Sequence, residues 1–172
     1  MQRDWVDAVR DDWARERPDL DTSPVAVVAR VGRLGAFLDA GLERTFGSFG
    51  LSRADYDVLA TLRRSGAPYR RPQKALMHAL MRTSGTMSFR IDRLERAGLV
   101  RREPDPADGR NVFVVLTPEG LDLFNHVAPV HLANEERLIA ALSAQEREVF
   151  IALLRTLLRS FESSASNRDL GA

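Results

Sequence analysis

The 172-residue chain contains no cysteine. That excludes a disulfide framework, a thiolate nucleophile, a zinc–thiolate site and a thiol redox sensor. Histidine is scarce, with His78, His126 and His131 the full set. His126 and His131 are five apart with Pro129 between them, which is not the i,i+4 spacing of a helical metal pair. No apolar run approaches the roughly 20 residues of a membrane span. The N-terminal MQRDWVDAVRDDW has acids among its apolar residues and no apolar core, unlike a signal peptide. The expectation is a cytoplasmic protein without a membrane partner. There is no P-loop, GxGxxG or nucleophile elbow, so neither an enzyme nor a resident cofactor is expected. Lysine is nearly missing too: of 25 basic residues, only Lys74 is not arginine. Net charge is also lacking, at +1.

That +1 is an average over three unequal blocks. Residues 1–50 carry 7 basic and 9 acidic residues, net −2. Residues 51–116 carry 13 and 7, net +6, and residues 117–172 carry 5 and 8, net −3. A basic centre between acidic ends points to a polyanion site in the middle. A solvated, arginine-rich surface that varies along the chain is the plainer reading.

Periodicity divides the chain at the same places. Trp5, Val9 and Trp13 recur at spacing four, an amphipathic helix. Ser23 before Pro24 reads as a helix start, with Ser23 as N-cap. Val28, Val31, Gly35, Leu38 and Leu42 keep the helical period to about Phe46. Ser52 and Asp55 form a capping box for a helix burying Tyr56, Leu59 and Leu62. A short helix fits 72–80. Another fits 84–97, with Met87, Ile91 and Leu94 inward and Gly98 as its left-handed stop. LVRRE, the turn PDPADGRN and VFVVL then read as a strand pair. Thr117-Pro118-Glu119 restarts a helix running towards Leu142, bent at Pro129. Ser143 and Glu146 box the last helix, striped by Val149, Leu153, Leu157 and Phe161.

Three helices and a hairpin in that order make a winged helix-turn-helix. The expected fold is mainly α with a small β-hairpin wing. Residues 1–50 and 117–172 supply flanking N- and C-terminal helices around a DNA-binding centre at 51–116, all in one integrated globular unit. In that arrangement 84–97 is the recognition helix. Its first turn, Ser84, Gly85, Thr86 and then Ser88, offers small hydroxyls and close backbone approach to double-stranded DNA, with Arg82 just before it. The hairpin tip holds Asp108 and Arg110. Arg110 can enter a narrow minor groove, with Asp108 orienting its guanidinium. Taken singly, each piece is also an ordinary helix start or a solvated tip.

GLSRADYDVLATLRRSG, TSGTMSFRIDRLERAGLVRREPDPADGR and VVLTPEG resemble the MarR family of bacterial transcription regulators. The resemblance implies a homodimer on interleaved terminal helices, binding an inverted repeat. Within that family, DWVDAVRDDWARERPDLDTSP together with DVLATLRRSGAPYR resembles a urate-responsive subgroup with an added N-terminal helix. The resemblance implies an effector site at Trp13, Asp57, Arg90 and Arg102 for urate or a similar small anion. The chemistry is coherent: two guanidinia bind an anion bidentately and an indole covers a flat ring. Each residue also has a plainer reading, as core aromatic, surface acid, phosphate contact or intradomain ion pair. Two features depart from the family's pattern. Phe89 stands in the recognition helix where polar residues are common, suited to a thymine methyl. Gly109 stands beside Arg110 where a second arginine is frequent. The other function classes left open are a small-molecule-binding protein on this scaffold and a regulator that ignores ligands.

Overall fold

A computed structural model describes residues 2–81, 83–105, 108 and 111–169, with side chains up to residue 163. The chain forms two compact units, residues 1–134 and 135–172.

Among the described residues there are seven helices and three strands. The first unit opens with α1, Trp5–Glu16, and α2, Val25–Gly47. The carboxylates of Asp4 and Asp7 box the start of α1 and also hold Arg30 of α2 at 2.7–3.0 Å. Ser23 does not cap α2 as its position before Pro24 suggested. Its hydroxyl donates to Asp21 at 2.9 Å, and Pro24 takes the cap position with no side-chain bond. The acid two residues upstream outcompetes the helix end for that hydroxyl.

Helix α3, Arg53–Arg64, starts at the expected Ser52–Asp55 capping box and buries Tyr56, Leu59 and Leu62. Strand β1, Arg70–Pro72, precedes α4, Gln73–Ala79, and α5, Ser84–Arg96. Met87, Ile91 and Leu94 of α5 are buried as their spacing requires. Gly98, at φ 72°, ends α5. There the Leu99 N–H donates to the Leu94 carbonyl and the Gly98 N–H to the Glu95 carbonyl, the paired bonds of a Schellman stop.

Strands β2, Val100–Pro104, and β3, Val112–Leu116, pair antiparallel as expected. The sheet has a third member, however, in the order β1-β3-β2. Arg71 of β1 pairs with Val114 and Pro72 with Phe113. A three-residue Arg-Arg-Pro strand is too short to show alternation, so periodicity misses it. Its presence makes β3 central, and Val114, Val115 and Leu116 are consecutively buried.

Helix α6, Pro118–Leu138, carries Pro129 within it and stops short of Leu142. Its Gly120 lies against the Leu99 carbonyl so closely that a Cβ would sit 2.0 Å from that oxygen. Phe46 of α2 and Tyr56 of α3 stack at 4.5 Å, and His131 of α6 closes on both at 4.9 and 4.8 Å. In the second unit, Ser143 and Glu146 form the expected box for α7, Ala144–Asp169. Val149, Leu153, Leu157 and Phe161 form its stripe, and all four are exposed in the protomer. Among the described residues no helix is long and apolar enough to cross a membrane.

Candidate nucleic-acid interface and anion-binding residues

The N-terminal turn of α5 is presented outward. Ser84, Gly85 and Thr86 are exposed, with open space where a Gly85 side chain would be. Thr83 takes the N-cap position but makes no capping bond; its hydroxyl meets that of Thr86 at 3.0 Å. The turn therefore keeps its N–H dipoles unneutralised by a side chain, the arrangement that attracts a phosphate. Ser88 is half-buried and its hydroxyl accepts from the Gln73 amide of α4 at 3.0 Å, so it braces the two helices. Phe89 is 67% exposed. It projects opposite the buried Met87–Ile91–Leu94 stripe.

Asp108 accepts from the Asn111 side-chain amide at 3.1 Å, which closes the wing turn on itself. Arg82, Gly109 and Arg110 lie outside the described residues, and with them the expected Asp108–Arg110 contact.

The four residues expected to gather around an anion are held in separate surroundings. Trp13, on α1, lines a shallow recess of about 310 Å³ with Val9, Asp12 and Glu16. Asp57, on α3, is half-buried, and no side-chain bond to it is found among the described residues. Arg90 is not paired with Asp57. Its Nη1 donates to the Ser52 hydroxyl at 3.0 Å and to Asp55 Oδ1 at 3.1 Å. Helical pitch explains the choice: Asp55 and Asp57 project about 200° apart, and the former faces α5.

Arg102, on β2, bonds Asp92 at 2.6 Å and Glu95 at 2.5 Å, both on α5. Partial burial works against its charge, but these two carboxylates outweigh it and raise its pKa above the ordinary arginine value. Asp92 and Glu95 lie about 140–160° around α5 from Arg90. The two arginines thus clasp opposite flanks of one helix. No hydrogen bond or ion pair joins any two of the four residues, among those described.

Asp55 is the residue that sequence reasoning assigned too little. It was legible as a cap but not as the anchor of α5. Its side chain is fully buried, and Arg93 Nη1 approaches Oδ2 at 3.3 Å in addition to the Arg90 bond. The spacing Arg90–Arg93 puts two cations on one helical face, the available signal for a buried acid opposite. A larger cavity, about 780 Å³, lies beside α1 and the start of α2, lined by Arg3, Arg10 and Arg30 with Asp4, Asp7 and Asp11. None of the expected site residues lines it. Among the described residues no cluster of three or more histidine or acidic side chains could hold a metal.

A helix-turn-helix of α4 and α5 packed on α3, flanked by a β-sheet wing, defines a winged-helix DNA-binding module. The comparisons with known proteins agree. The MarR family model matches residues 49–111. The chain is 41% identical over 142 residues to the HTH-type transcriptional regulator PecS of Dickeya dadantii, covering 83% of this chain and 86% of that one. The structure of AbsC, a MarR family transcriptional regulator from Streptomyces coelicolor, superposes with a TM-score of 0.75 at 29% identity, over 84% of this chain and 98% of that one. A structure of Bordetella bronchiseptica BpsR, described in terms of regulation of its DNA binding by 6-hydroxynicotinic acid, superposes with a TM-score of 0.68 at 27% identity, over 77% and 98%. The chain belongs to the MarR family of DNA-binding transcriptional regulators, which are not enzymes.

Proposed function

We propose that the protein is a homodimeric repressor that binds an inverted-repeat operator and is released by a small anionic effector of the urate kind. The observation that carries the DNA half is the exposed, uncapped first turn of α5. Ser84, Gly85, Thr86 and Phe89 are its base- and phosphate-facing residues, with Ser88 braced behind them, Arg82 before the turn, and Asp108 and Arg110 at the wing tip. Two copies would meet half-sites about 10 bp apart, one helical turn.

The effector half rests on Trp13, Asp57, Arg90 and Arg102. Both arginines are already satisfied by carboxylates, so an anion must exchange with Asp55, or with Asp92 and Glu95, to reach them. Exchange loosens the hold on α5, which couples ligand to DNA affinity. A differential binding of about 1–3 kcal/mol suffices for a fivefold to 150-fold change. BpsR, whose DNA binding is described as regulated by 6-hydroxynicotinic acid, lends support to a flat heteroaromatic anion. One observation favours a second reading, a regulator without a ligand: the four residues do not converge in this conformation.

The test is fluorescence anisotropy with the gene's own upstream intergenic DNA at low salt, followed by titration of urate and 6-hydroxynicotinate. Wild type is expected to bind and be released. Arg110→Ala should weaken binding and reduce the salt slope by about one. Trp13→Ala should bind DNA normally yet need at least tenfold more ligand. Release of Trp13→Ala at the wild-type concentration refutes the pocket, no release of wild type favours the ligand-independent regulator, and no DNA binding refutes the repressor.

A further inference from the structure

Asp55 lies in a position that its capping role does not explain. The carboxylate has no exposed surface and sits where α3 begins, yet both of its oxygens also face guanidinia from α5. Oδ2 accepts from the Ser52 N–H at 2.9 Å and its hydroxyl at 2.7 Å. Oδ1 accepts from Arg90 at 3.1 Å, and Arg93 approaches Oδ2 at 3.3 Å. Each arginine makes a second bond to the same segment. Arg90 donates to the Ser52 hydroxyl at 3.0 Å and Arg93 to the Gly50 carbonyl at 3.2 Å. A Ser-x-x-Asp cap needs only a short acceptor at its third position. An acid with two cations on it is a charge relation between two helices.

We propose that Asp55 is a positioning residue for operator recognition: it fixes the rotation and depth of α5 through Arg90 and Arg93, and keeps both guanidinia from DNA phosphates. The proposal rests on α5 being the helix that reads DNA. Two fixed points three residues apart define how a helix is turned about its axis, which a single contact cannot do. Rotation decides which of Ser84, Gly85, Thr86 and Phe89 meets the bases. Sequestering two cations also removes charge that would bind any phosphate backbone alike, so Asp55 raises discrimination on both counts.

The two consequences have opposite signs, which makes the test decisive. Full-length wild type and Asp55→Asn are titrated against the upstream intergenic duplex and a scrambled duplex of equal length and composition, across a salt series. Asparagine can still accept at the cap. The variant is expected to lose tenfold or more of its affinity for the intergenic duplex. Its affinity for the scrambled duplex should hold or rise, with a salt slope steeper by about one. A purely structural role lowers both affinities together. That outcome, or an unchanged ratio and slope, overturns the proposal.

Should Asp55→Asn fail to fold, Arg93→Gln leaves the Arg90–Asp55–Ser52 bonds in place and must still lower the specific-to-scrambled ratio; an unchanged ratio overturns the proposal. If wild type shows no preference between the duplexes, the operator reading fails separately. Asp55 is then judged by hydrogen exchange across residues 84–96. Faster exchange in Arg93→Gln supports the anchor, and equal protection refutes it.

Discussion

Several arginines of the basic centre are paired with carboxylates of the same centre. Arg90 and Arg93 face Asp55, Arg102 faces Asp92 and Glu95, and Arg101 faces Glu103 at 2.5 Å. Those four arginines and four carboxylates cancel within the block, so its +6 is carried by the remaining nine basic and three acidic residues. A second residue-scale demand is made by the smallest side chain. Gly120 is required by proximity, because a Cβ there would sit 2.0 Å from the Leu99 oxygen, which is backbone and cannot swing aside. Gly120→Ala is expected to destabilise the fold by about 1–3 kcal/mol, the usual cost of overpacking, despite the better helix propensity of alanine. Urea unfolding measures it, and a midpoint equal to wild type would contradict the contact.

At the scale of elements, α1 is attached to α2 by charge. The Arg30 hydrogen bond holds the Asp4 carboxyl below the usual carboxylate range. For Asp7 the bond from the Asp4 backbone acts first and Arg30 second, in the same direction. Acids with depressed folded-state values stabilise above their unfolded pKa and lose that contribution as pH falls through the folded value. Docking of α1 should thus be constant at neutral pH and weaken below about pH 4. The fluorescence of Trp5 and Trp13, both on α1, should report a transition there before global unfolding. In Arg30→Gln that early transition should vanish.

Elements were legible in the sequence wherever a local rule governed them. The Ser52–Asp55 and Ser143–Glu146 boxes, the Met87–Ile91–Leu94 stripe and the Gly98 stop each depend on neighbours within one or two turns. What escaped depended on distant partners. Strand β1 exists because β3 offers it an edge, and Ser23 was lost to Asp21. The candidate site shows the same division. The exposed α5 turn follows from its position in the helix-turn-helix. Whether Arg90 meets Asp55 or Asp57 depends on how two helices face each other, which spacing along one of them leaves open.

At the scale of the molecule, apolar surface remains uncovered in each unit taken by itself. Val27, Val28, Val31 and Phe37 of α2 are exposed in the first, as is the Val149–Leu153–Leu157–Phe161 stripe of α7 in the second. Stripes of this length are uncommon on a monomer and suit a second copy. Leu153→Glu and Val28→Glu are each expected to shift the protein from dimer to monomer in sedimentation. Operator affinity should fall by about 100-fold or more, because the second half-site then binds as a separate event. A monodisperse monomer for wild type at micromolar concentration would refute the homodimer.

The stop of α5 has a mechanical consequence. The Leu99 carbonyl accepts the Thr117 N–H at 3.1 Å, the Thr117 hydroxyl donates to the Gly98 carbonyl at 2.7 Å, and Gly120 presses on the same strip of backbone. The far end of α5, at Thr83, has no side-chain cap. Beyond the bonds that Gln73, Asp55 and Arg102 make to its middle, α5 is therefore pinned at its Gly98–Leu99 end and has no side-chain cap at its first turn. Any tilt that those bonds allow is largest at Ser84, in the turn proposed to read DNA.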